Sequence, residues 1–118
     1  MMGGNMTALV QKAVPDTKGT EIGESIRTWE TVGRISGWLD YLGEDTERRE
    51  FRAKVPESTH VFLADYTCLE KQLRENDCRF VIDGDHYDLL LSDDPMNLHR
   101  HLEFYLKYTG GREHGSSV

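Results

Sequence analysis

The stretch "CRFVIDGDHYDLLL" (residues 78–91) constrains the fold more than any other part of this chain. Asp83-Gly84 at the centre of a two-residue turn is the strongest short hairpin signal. With that turn fixed, Ile82 faces Asp85, Phe80 faces Tyr87, Cys78 faces Leu89, Arg79 faces Asp88 and Val81 faces His86. One face then carries Cys78, Phe80, Ile82, Tyr87, Leu89 and Leu91, with Asp85 its only charge, beside the turn. Strand period and turn position agree, so a hairpin with one buried face is expected.

The same stretch is rich in oxygen ligands, but its spacing does not suit calcium. An EF-hand loop needs oxygens at positions one, three and five and glycine at six. Counted from Asp83, position five is Tyr87 and position six is Asp88. No metal is expected there.

The period of two recurs along the chain. "TALVQKAV" (7–14) is expected as a first strand, and "SIRTWETV" (25–32) sets Ile26 and Thr28 against Arg27 and Trp29. "GRISGWLDYL" (33–42) alternates Ile35, Gly37 and Leu39 against Arg34, Ser36, Trp38 and Asp40. "STHVFLADY" (58–66) alternates Val61 and Leu63 against His60, Phe62 and Ala64. "NLHRHLEFYLKY" (97–108) reads as the last strand. It sets Leu98, Leu102, Phe104 and Leu106 against His99, His101, Glu103, Tyr105 and Lys107. Two imidazoles on one strand face are a partial zinc set, but no third ligand is forced near His99 and His101.

Two segments break the period. "TCLEKQLREN" (67–76) has Thr67 as N-cap, Glu70 three residues on, and Leu69 and Leu73 one turn apart, which predicts a helix of two turns. "GEDTERREFRAKVPE" (43–57) carries five acids and four bases, with only Phe51 and Val55 as sizeable apolar residues. Without an apolar stripe it has little to pack on, so it is expected as a long charged loop.

One domain of 118 residues is therefore expected, mainly β. The expected form is a small barrel or sandwich of about six antiparallel strands over residues 7–108, with one short helix and the long loop. The polar ends, 1–6 and 109–118, are expected as tails that order only against neighbours in an assembly. No apolar run is long enough to span a membrane, and "MMGGNMTALVQK" lacks the pattern of a secretory signal. Two cysteines ten residues apart suit reduced thiols better than a disulfide framework.

Composition also bears on function. The formal net charge is −7, and residues 65–103 hold ten acids against four bases. Such a surface repels phosphate at short range, which disfavours tight direct binding of nucleic acid. There is no phosphate-binding glycine loop, no nucleophile elbow and no HExxH. No catalytic residue, metal ligand or cofactor is assigned, and the chain is not expected to be an enzyme. A metal-dependent hydrolase built on His99 and His101 is the weakest of the functions weighed.

Taken together, "TWETVGRISGWLDYLGED", the charged excursion, "STHVFLADY" and "ENDCRFVIDGDHYDLLLSDDPMNLHRHLEFYLKY" resemble the head–tail joining proteins of tailed bacteriophages, also called head-closure or stopper proteins. The family pattern falls on Trp29, Gly37 with Gly43-Glu44, Thr59-His60, Asp77, Gly84 with Tyr87, and residues 102–106. The chain departs from it in the length of 67–76 and in having Cys78 before Arg79 where the family has Arg directly after the Asp. The resemblance implies a structural part of the virion, assembled in the host cytoplasm and placed in the neck. Copies would form a hexameric or dodecameric ring under the portal or its adaptor, closing the DNA-filled head and docking the tail proteins. Packaged double-stranded DNA would pass through non-specifically. In the family the excursion points toward the channel, which here implicates Glu44, Asp45, Glu47, Arg48, Arg49, Glu50, Arg52 and Lys54. A tail-completion or tail-terminator protein is the nearest alternative, and a binding module unrelated to phages is more distant.

Overall fold

A computed structural model describes residues 6–15, 27–43, 55–74 and 77–110, with Pro15, Arg27, Glu70 and Gln72 described by backbone alone. Among these residues six strands form: β1 (Met6–Pro15), β2 (Arg27–Tyr41), β3 (His60–Asp65), β4 (Cys78–Ile82), β5 (Asp85–Asp93) and β6 (His101–Gly110). All pairings are antiparallel. The sheet closes on itself in the order β1-β2-β3-β6-β5-β4. In that order β3 and β6 lie across the barrel from β4 and β1. Among the described residues, no helix is long and apolar enough to cross a membrane.

The hairpin has the expected register, with Ile82 opposite Asp85, Phe80 opposite Tyr87 and Arg79 opposite Asp88. Asp83 and Gly84 sit at φ 54° and 88°, the left-handed pair that a type I′ turn requires. Gly84→Val should therefore cost on the order of 1 kcal/mol or more, because a β-branched residue tolerates positive φ poorly. Equal urea midpoints for variant and wild type would contradict this.

Strand alternation fills the interior. Ala8, Val10, Ile35, Phe62, Ala64, Phe80, Ile82, Leu89, Leu102, Phe104 and Leu106 point inward and are buried. Phe80 packs against Phe62 and Phe104, with ring centroids 5.8 and 4.9 Å away. A second, smaller cluster forms on the outer face, where Leu42, Val61 and Tyr105 are buried with Val55, Leu63 and Leu91 against them. Leu91 was expected inside with Leu89. A bulge between Leu89 and Leu91 turns it outward, opposite Tyr105, as one extra residue in a strand does.

Three expected boundaries move. Residues 25–32 and 33–42 do not form separate strands, because β2 runs unbroken from Arg27 to Tyr41, its register adjusted by a bulge between Val10 and Gln11. Ile26 lies outside the described residues. The last strand begins at His101 rather than at 97 and runs on to Gly110. Residues 109–110 thus belong to the barrel: Gly110 pairs with His86, and Thr109 Oγ1 donates to the His86 carbonyl at 3.2 Å.

The predicted two-turn helix over 67–76 is instead a five-residue 3-10 turn, Cys68–Gln72. Thr67 does act at its start, accepting from the Leu69 amide at 3.3 Å. One leucine pair is too little apolar surface to offset the cost of nucleating a longer helix. The connection has another task. It links β3 to β4 across the barrel end, and Leu73, with Leu69 beside it, closes that end of the core. Cys68 is exposed, Cys78 is buried, and both are free thiols.

Candidate functional site

The antiparallel order sorts the segment ends between two rims. Met6, the end of β2 at Tyr41, the start of β3 at His60, the Asp83-Gly84 turn and Gly110 all lie at one of them. The described residues that flank 1–5, 44–54 and 111–118 therefore share this rim. Residues Glu44, Asp45, Glu47, Arg48, Arg49, Glu50, Arg52 and Lys54 lie outside the described residues.

Backbone bonds and packing clamp the root of the charged excursion. The Leu42 amide donates to the Thr59 carbonyl at 2.8 Å, and the Thr59 amide to the Leu106 carbonyl at 2.8 Å. On the returning side, the Ser58 amide and hydroxyl both donate to the Val55 carbonyl, at 2.9 and 2.5 Å. Leu42 and Val55, on either side of the excursion, enter the outer apolar cluster with Val61 and Tyr105. The Tyr105 hydroxyl donates to Glu103 Oε1 at 2.8 Å. Burial, followed by that bond to Glu103, pushes its pKa far up, so it stays protonated.

The rim itself is aromatic. His60 sits among Tyr87, Tyr41 and Tyr108, with ring centroids 5.0, 5.3 and 6.5 Å from its own. Tyr87 packs edge-on against Tyr108 at 5.4 Å. Thr59 Oγ1 lies 2.8 Å from His60 Nδ1 and accepts from the Tyr108 amide at 2.8 Å, which fixes the imidazole at the barrel mouth. Tyr41 is 67% exposed and Tyr108 42%. They offer flat apolar faces with hydroxyl tips, a form of side chain common where proteins meet. Nearby, Met6, Thr7, Ile82 and Asp83 line an open depression of about 370 Å³.

Burial lowers the His60 pKa below the usual 6.5. The folded form thus binds protons less readily than the unfolded chain near pH 6. This stabilisation is present in full above about pH 6.5 and is lost as pH falls through the folded pKa. On moving from pH 7.5 to 5, wild type should lose more unfolding free energy than His60→Gln, which has no imidazole there. Parallel losses in urea titrations of the two proteins would show that His60 carries no such linkage.

The other residues singled out from sequence separate. His99 is not on β6: it precedes the strand at φ 59°. Asp94 holds it, accepting from its amide at 2.9 Å, with the second carboxylate oxygen 2.5 Å from Nδ1. His101 Nε2 lies 3.6 Å from Glu103 Oε2. Each imidazole thus has its own carboxylate. No group of three or more His, Cys, Asp or Glu is assembled for a metal among the described residues. Arg79 faces Asp88 as expected, and its guanidinium also makes bonds that the sequence did not suggest. Its Nε donates to Gln11 Oε1 at 2.8 Å, and its carbon lies 4.2 Å over the Trp29 ring. The aromatic rim was equally unforeseen. Its one trace in sequence is that Tyr41, His60, Tyr87 and Tyr108 all fall near strand ends.

Comparison with known proteins finds no matching family model and no matching curated sequence.

Proposed function

We propose that this chain is a structural ring component of a tailed-bacteriophage neck, closing the DNA-filled head and docking the tail. The observation that carries this reading is the gathering at one rim. The clamped root of a charged excursion, the residues leading to both chain ends and an exposed aromatic surface all meet there. A closed sheet leaves few free strand edges for pairing, so such a barrel meets partners through its rims and outer faces. Copies arranged in a ring would bring their excursions together about one axis. Acidic walls suit that position, because DNA slides past a surface that does not bind its phosphates. The residues that carry the family resemblance occupy structural positions compatible with it: Gly37 in the barrel wall, Thr59-His60 at the rim and Gly84 at the hairpin turn.

Assembly of particles with this chain omitted tests the proposal. Heads that fail to retain their DNA and finished tails should accumulate unjoined. Tails of irregular length in place of finished ones would favour the tail-completion alternative. Joined, infectious particles would overturn both.

A further inference from the structure

A layer of rings closes the barrel mouth. Tyr41 of β2, His60 of β3, Tyr108 of β6 and Tyr87 of β5 share the inward-facing parity of their strands, with Tyr41 opposite His60 and Tyr87 opposite Tyr108. His60 sits at the centre, in ring contact with each of the three tyrosines. Thr59 Oγ1 accepts from the Tyr108 amide, so its own proton is free for His60 Nδ1, 2.8 Å away. That arrangement suits an imidazole whose Nδ1 accepts, which is the neutral form. A second proton would make Nδ1 a donor. The Thr59 hydroxyl would then have to turn to the Leu106 carbonyl, 3.5 Å away and already bonded to the Thr59 amide, a poor bond at that length. No carboxylate compensates. Among the described residues His99 and His101 each lie beside one, whereas His60 lies beside none. The acids of this rim, Asp85 and Asp83, bear instead on Tyr87, whose pKa is raised by burial first and then by Asp85, Tyr108 and Asp83. Asp40 and Lys107, next to Tyr41 and Tyr108 in sequence, take the outward parity. Burial already holds His60 below its ordinary pKa.

We infer that the barrel mouth is a proton-operated latch: neutral His60 holds Tyr41 and Tyr108 in place, and protonated His60 leaves the ring layer and frees them. The opening is local, because the movable parts are few. β2 ends at Tyr41, so this largely exposed ring swings away without unpairing the strand. The same ring lies over Gly43, where a Cβ would collide with it, so its release is felt where the chain leaves the barrel. Beneath the layer, Phe62, Phe104 and Leu106 stay fixed in the core. A charged imidazole gains water by leaving, and nothing in the slot replaces that hydration. The latch itself does not depend on the neck reading. Where that reading holds, a component docked on Tyr41 and Tyr108 is released more readily in acid.

Amide hydrogen exchange on the full-length chain at neutral and mildly acid pH, corrected for the pH dependence of intrinsic exchange, tests this. The Tyr108 amide is the direct reporter, since it donates to Thr59 Oγ1. In acid, Tyr41, Gly43 and Tyr108 should lose protection several-fold in wild type, while Phe80 and Phe104 keep theirs. His60→Gln should show no such step. If that variant does not fold, the wild-type chain decides by nuclear magnetic resonance. The ring signals of Tyr41 and Tyr108 should then shift along the same titration as the His60 imidazole, and those of Phe104 should not. Equal protection at both pH values, an equal loss in His60→Gln, or tyrosine rings that ignore the His60 titration would overturn the latch. A loss spread evenly over the barrel would overturn it too, because that is global destabilisation and not an opening of the mouth.

Discussion

Gly37→Ala is expected to destabilise the barrel by about 3 kcal/mol or more, a large part of the roughly 5–15 kcal/mol that holds a domain of this size together. Gly37 is buried where β2 passes from pairing with Met6 of β1 to pairing with Ala64 of β3. A Cβ there would lie 2.3 Å from the Leu63 carbonyl oxygen and 2.8 Å from the Phe62 ring. Neither can yield cheaply. The oxygen belongs to the neighbouring strand's backbone, and the ring is fixed between the walls of the core. Two other glycines serve as controls. At Gly33 a Cβ would meet the Leu69 side chain, its nearest δ-methyl at 2.6 Å, and at Gly43 it would meet the exposed ring of Tyr41. Both neighbours are ends of side chains that can rotate away, so those alanines should cost less than about 1 kcal/mol. Thermal melts of the three variants measure the contrast, with Gly37→Ala lower by roughly 10–20 °C. A Gly37→Ala melt as mild as that of Gly33→Ala would mean that β2 and β3 are not packed as described.

The second large effect follows from the proposed neck role and concerns DNA retention. Deleting residues 45–54 should leave head assembly normal and let packaged DNA escape from tailless heads. The reasoning starts at the root. Leu42 and Val55 are anchored in the outer cluster, and the Leu42 amide is tied to Thr59, so the barrel should survive removal of what lies between. The deleted segment holds Asp45, Glu47 and Glu50 with Arg48, Arg49, Arg52 and Lys54. Single exposed pairs between such residues are worth roughly 0–1 kcal/mol each. Summed around a ring, they would hold a closure that still opens when the tail triggers release. Nuclease protection of DNA in purified tailless heads reads the outcome. Full protection would leave the chain as a spacer rather than a gate.

Much of the barrel was legible in the sequence because a buried face imposes a period of two. "CRFVIDGDHYD" encoded both the turn and its register, and Ile35, Gly37 and Leu39 marked the inner side of β2. What escaped had no local mark. The bulge that turns Leu91 outward adds one residue without any distinctive side chain. The late start of β6 depends on Asp94 gripping His99, a contact between residues that strand periodicity had set within or beside the same element. The Val32-Gly33 pair looked like a boundary, yet β2 continues through it because a bulge at Val32, the residue skipped between the Gly33–Val10 and Thr31–Gln11 pairs, absorbs the change of register. The rim was the least legible feature. Tyr41, His60, Tyr87 and Tyr108 are 19, 27 and 21 residues apart in sequence, and only the strand order β2-β3-β6-β5 brings them together. Arg79 over Trp29 likewise needs β1 to lie between β4 and β2.

The proposed neck role is tested most directly by imaging virions at a resolution that resolves strands, with this barrel fitted along the head–tail axis. The account predicts a ring of copies between the portal level and the first tail ring. Each copy should be oriented with the rim of His60, Tyr41 and Tyr108 toward a neighbouring component, and with residues 44–54 leading toward the axis. Density for this barrel only at the tail tip, or on no part of the particle, would contradict it.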